Sequence, residues 1–303
     1  MRVRSFCLIL LCLILFSSCS ASFEGLPESV SLSPKPKKPA VTQKTPLYIP
    51  PEERLPRVDR RAEAIYQKNP QLTPVDFSSP ALLPLTEDAG EAYLEKLVFL
   101  CDSPNYWLKP FGLLPGGTQT KQVWTGPEGT MTLAYLRGYR ILDPYDNTER
   151  TIPQTVSLHK PEYIVIALGL NGVSFMDEAY FTEEYVNLIR EIRAASPETI
   201  LLLQSIYPIS PKSRVWGSIT NAMITRANSW ILKIAEECGC HYLDSYSCLV
   251  GEDGNAKSEW SLPDGFHPNR EGLERVLEYI RTHAYFPPAD VPFVKRGGVY
   301  LKQ

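Results

Sequence analysis

The sequence predicts an α/β fold with three layers: a central parallel sheet with helices on both faces. Two observations carry this. First, uncharged and mostly apolar runs at Leu97–Cys101, 163–168 and 200–206 have the continuous character of strands buried on both sides. Second, segments with apolar residues at helical spacing lie between and after them, and strands that alternate with helices pair in parallel. With 303 residues, 44% apolar and 21% charged, the chain can bury a sizeable core. A net charge of -3 argues against a general nucleic-acid binder.

The chain opens with Arg2 and Arg4 before an apolar run over 6–16. That run is too short to span a bilayer as a mature helix and has the anatomy of an export signal. It ends Leu15-Phe16-Ser17-Ser18-Cys19, which resembles a bacterial lipobox, although Phe16 stands where Leu, Val or Ile is usual. On this reading residues 1–19 are a lipoprotein-type signal region, with Cys19 acylated as the mature N-terminus. The chain is then held at the outer face of the cytoplasmic membrane by its lipid. Ordinary cleavage after Ser20-Ala21-Ser22, giving a secreted protein, is the alternative. Residues 20–87 read as a tether: 12 of the 27 prolines lie in 23–90, without apolar periodicity. A short helix is expected over 57–68.

The folded domain is expected over 88–287, with 288–303 as a tail. Residues 88–96 read as a helix leading into the Leu97–Cys101 strand, which stops at Asp102-Ser103. A second strand end and a glycine-containing loop follow at 123–130, then a polar hairpin tip at 143–149. The strand over 163–168 ends in Gly169-Leu170-Asn171. Thr182 is expected to cap a helix that buries Tyr185, Leu188, Ile189 and Ile192. After the strand at 200–206 comes a helix marked by Ile224, Ala227, Ile231 and Ile234 and closed by Gly239. A short strand near His241–Leu243 precedes Asp264-Gly265-Phe266-His267 and a last helix burying Leu273, Val276, Leu277 and Ile280.

In an open α/β sheet, chemistry sits beyond the carboxyl ends of the strands. Ser103 stands there. A serine hydroxyl needs a base, and the base needs an orienting partner. Of the four histidines, only His267 has a carboxylate neighbour on a strand-to-helix loop, and Asp264 can reach its Nδ1 while Nε2 faces Ser103. An oxyanion needs donors in place; the candidates are the Ser103 N–H, the Gly129 N–H and the Asn171 side-chain amide. Trp107, Trp124 and Phe266 are aromatic candidates near the site. Cys238, Cys240 and Cys248 lack the common zinc spacing and read as buried thiols or one disulfide, so no metal is expected.

Phe99-Leu100-Cys101-Asp102-Ser103 resembles the first block of the SGNH (GDSL-type) hydrolases. Gly169-Leu170-Asn171 is similar to their Gly-x-Asn block, and Asp264-Gly265-Phe266-His267 to their Asp-x-x-His block. The resemblance covers roughly residues 90–285. It implies a flavodoxin-like three-layer fold, no cofactor, and hydrolysis of an ester through an acyl-enzyme. Its name-giving residues here are Ser103, Gly129 (chosen over Gly126), Asn171 and His267. Cys101 replaces the family's usual glycine, which is expected to narrow the pocket or strain the turn. The implied substrate is a carbohydrate, lipid or small-molecule ester. An acyltransferase using the same groups, or a binding module of little turnover, is the alternative.

Overall fold

The computed structural model describes residues 60–213, 219–287, 293–296 and 299–302. The signal region, Cys19 and the tether up to residue 59 lie outside the described residues. In chain order the strands are β1 (Leu97–Cys101), β2 (Val123–Trp124), β3 (Arg140–Leu142), β4 (Glu149–Thr151), β5 (Tyr163–Ala167), β6 (Ile200–Gln204) and β7 (His241–Leu243). A terminal antiparallel pair, β8 (Phe293–Arg296) and β9 (Val299–Lys302), falls where the sequence suggested only a tail. The central sheet has the order β2-β1-β5-β6-β7, and every pairing in it is parallel.

The helices are α1 (Arg60–Lys68), α2 (Glu91–Leu94), α3 (Ser103–Tyr106), α4 (Ile152–His159), α5 (Glu178–Ala195), α6 (Asn221–Cys238), α7 (Ser245–Leu249) and α8 (Arg270–Thr282). Successive strand residues face opposite layers. Val98, Leu100, Ile164 and Ile166 share one core with buried faces of α1, α4, α5 and α6. Leu97, Phe99, Cys101, Tyr163 and Val165 share the other with α2 and α8. Phe181, Tyr185 and Ile192 of α5 are fully buried, each contributing about 1.5–3 kcal/mol of hydrophobic stabilisation. α6 closes at Gly239 in the left-handed region, as expected.

Three expectations are corrected. α5 starts at Glu178 and not after Thr182, because the Asp177 side chain accepts from the Tyr180 N–H at 2.9 Å and Phe181 continues the buried stripe. α2 spans only Glu91–Leu94, not 88–96. Residues 60–87 are not tether. Ala62, Ile65, Leu72, Ala81, Leu82 and Leu83 are buried, and the chain around Leu82 pairs with Tyr242, extending the sheet past β7. The Arg61 guanidinium donates to the Val250 carbonyl at 2.6 Å. Proline-rich spacing hid a segment whose few apolar residues cover an otherwise open sheet edge.

The four described cysteines are free, which leaves the disulfide alternative unrealised. Cys101 neither narrows a pocket nor strains a turn. It is fully buried on the α8 side of the sheet and is absent from the positive-φ residues.

Candidate active site

β1 delivers Ser103 to the carboxyl edge of the sheet. Asp102 is extended and Ser103 opens α3, with Pro104 next, where a missing N–H costs nothing. A buried polar chain fixes this short helix from below. The Tyr207 hydroxyl donates to Asn105 Oδ1; Asn105 Nδ2 donates to Gln204 Oε1 at 2.7 Å, and Gln204 Nε2 to Ser245 Oγ at 2.8 Å. Sequence reasoning missed this chain. Its signal was polar residues set inside buried runs.

The loop carrying Asp264 and His267 is closed by its own backbone: Gly265 N–H donates to the Leu262 carbonyl, and Leu262 N–H to that of His267, at 2.9 and 2.8 Å. Asp264 Oδ2 lies 2.8 Å from His267 Nδ1. Its Oδ1 accepts from the N–H groups of Phe266 and His267 at 2.8 and 3.0 Å. His267 Nε2 lies 2.9 Å from Ser103 Oγ. Burial works to raise the Asp264 pKa, but the His267 side chain and the two backbone donors outweigh it and hold the carboxyl below its ordinary value. The structure therefore brings Ser103, His267 and Asp264 into one continuous hydrogen-bonded chain.

The oxyanion side is only partly as expected. Ser103, as the first residue of a helix, has no intrahelical acceptor for its N–H. Asn171 follows β5, beside β1, and its side-chain nitrogen donates to Thr130 Oγ1 at 3.1 Å and the Met131 carbonyl at 3.0 Å. Gly129 is corrected as a donor: its N–H is spent on the Gly126 carbonyl at 2.9 Å, closing a turn. It is glycine for a different reason. Its φ is +74°, and a Cβ there would lie 2.9 Å from the Tyr106 ring.

The aromatic candidates separate. Trp107 is half-buried, 6.3 Å from the His267 ring and stacked on Phe111 at 5.3 Å. Phe266 is buried with its ring edge-on to His267 at 5.2 Å. Trp124 is not at the site; it is fully buried and edge-on to His159. His159 in turn meets the buried Asp143 at 2.8 Å, and Arg150 pairs with the same carboxylate, so this cluster staples the β3–β4 hairpin to α4.

Residues 128–275 match the GDSL-like lipase/acylhydrolase family. That span, a little under half of the chain, is similar to the GDSL-type, or SGNH, hydrolases. The match takes in Gly129, Asn171, Asp264 and His267 and begins after Ser103. Solved structures similar to this chain include a GDSL-like lipase from Bacteroides thetaiotaomicron, at 18% identity over 63% of this chain and 87% of that one, TM-score 0.44. A carbohydrate esterase of family 3 from Talaromyces cellulolyticus is 17% identical over 61% and 93%, TM-score 0.39. An acetyl-xylooligosaccharide esterase from Geobacillus Stearmophilus is 15% identical over 63% and 95%, TM-score 0.41. No curated protein sequence matches the chain.

Proposed function

We propose that this GDSL-type domain is a serine esterase working through an acyl-enzyme. The observation that carries the reading is the Ser103–His267–Asp264 chain, with contacts of 2.9 and 2.8 Å. Ser103 Oγ attacks the ester carbonyl while His267 Nε2 takes its proton. The Ser103 N–H and one N–H of Asn171, released from Thr130, meet the developing oxyanion, each donor contributing roughly 2–4 kcal/mol in the transition state. His267 returns the proton to the leaving alcohol as the tetrahedral adduct collapses. Water, deprotonated by His267, then hydrolyses the acyl-Ser103 ester and restores the enzyme. Asp264 orients the imidazole and stabilises its cation throughout.

The half-buried Trp107, 6.3 Å from the His267 ring, supports O-acyl carbohydrate over lipid as substrate, since an indole beside the triad can pack on a sugar ring. Arg2, Arg4, the apolar run and Cys19 support export and a lipid anchor. The test is hydrolysis of p-nitrophenyl acetate by wild type and Ser103→Ala. The reading expects turnover that falls at least ~10³-fold in the variant; equal rates would remove it. For the anchor, Cys19→Ala should release the protein from membranes and remove the lipid mass.

A further inference from the structure

Asp102 precedes the nucleophile candidate, yet the Ser103–His267–Asp264 chain makes no use of it. It is 4% exposed. Its side chain does not cap α3. Instead the Asp102 N–H donates to the Ala167 carbonyl at 3.1 Å, carrying the β1–β5 contact one residue beyond β1. That sets its carboxyl against the turn leading to Asn171, where the Leu170 and Gly169 amides act on it. Oδ2 has no hydrogen-bond partner among the described residues. A small cavity of about 10 Å³, lined in part by Asp102, Asn105, Ser205 and Tyr207, lies beside it. A buried carboxylate with an oxygen to spare is costly, and such a group is found where it is put to use.

We propose that Asp102 is a positioning residue: its carboxylate draws the Gly169 and Leu170 amides toward the Ser103 turn, fixing the loop that carries Asn171, and releases that loop when protonated. Burial pushes the Asp102 carboxyl up to about 7, with the Leu170 and Gly169 amides pulling it back. The other titratable groups coupled to it are Cys101 from β1 and Tyr185 from α5. Burial, then the Asp102 charge, raises both, so each stays protonated while Asp102 titrates. The clamp is therefore set through the neutral range by one group.

Two measurements test this, and only the second rests on the esterase reading. Hydrogen exchange of the Gly169 and Leu170 amides, corrected for intrinsic rates, should gain about tenfold protection in the wild type between about pH 5.5 and about pH 8. In Asp102→Asn the protection should stay flat. The wild-type series needs no variant, so a folding failure of Asp102→Asn leaves it decisive, and protection that does not change with pH overturns the proposal. In the second arm, the rate at which a fluorophosphonate modifies Ser103 should be about tenfold lower in Asp102→Asn than in wild type at about pH 8, and equal at about pH 5.5. Equal rates at both pH values overturn the link to the nucleophile. A wild type that is never modified removes the esterase reading and leaves the exchange arm to decide the clamp.

Discussion

The Tyr106 ring occupies the space that a Cβ on Gly129 would need, 2.9 Å from its nearest carbons. This contact joins the loop after β2 to the helix that presents Ser103. Gly129 is thus a spacer as well as a turn residue. Gly129→Ala should cost about 2–4 kcal/mol, from the positive φ and the clash together. In a Tyr106→Ala background the clash disappears and the same change should cost only about 1–2 kcal/mol. Chemical denaturation of the four proteins checks this double-mutant cycle.

Asn171 is held by Thr130 and Met131, so its side chain is fixed in place and one N–H leaves Thr130 to meet the oxyanion. Asn171→Ala should lower kcat on p-nitrophenyl acetate about 10²–10³-fold with little change in KM. A loss confined to KM would instead make Asn171 a binding group.

Asp102 and Asp264 should affect stability with opposite signs. Asp264 is held below its ordinary pKa, so its contribution is present above about pH 4 and is lost as pH falls through its folded value. Asp102 is raised from 3.8 to about 7, so the folded state weakens as pH climbs through that window, by at most about 4 kcal/mol. Thermal melts at about pH 5 and about pH 8 should show wild type losing more stability than Asp102→Asn over that rise. Parallel curves would contradict the buried charge.

The thiols should differ in reactivity. Burial raises Cys101 well above its ordinary pKa and Cys248 also above it, whereas Cys238 is half-buried and less perturbed. Iodoacetamide at about pH 8 should modify Cys238 first and leave Cys101 untouched until unfolding, as peptide mapping would show.

Much of the architecture was legible because it follows from local pattern. Leu97–Cys101 is uncharged and buried at every position, so its strand and its end at Asp102-Ser103 could be read directly. The Asp264–His267 pair was visible because, of the four histidines, only His267 reads as having a carboxylate neighbour on a strand-to-helix loop. What escaped depends on contacts distant in sequence. Nothing local shows that Leu82 pairs with Tyr242; the turn that spends the Gly129 N–H on Gly126 is, by contrast, local, with Pro127 at its second position. Trp124 lies near strand-end residues in sequence, but its ring packs under the hairpin with His159. The start of α5 was misplaced because Thr182 and Asp177 are both good caps, and only the buried Phe181 decides between them.

The central claim is that Ser103 is the nucleophile, and covalent labelling tests it most directly. The folded protein, treated with a fluorophosphonate, should gain one adduct, mapped by peptide mass spectrometry to Ser103. His267→Ala should label at least ~10²-fold more slowly, and Ser103→Ala not at all. A folded wild type that takes no label, or an adduct that persists in Ser103→Ala, would contradict the account.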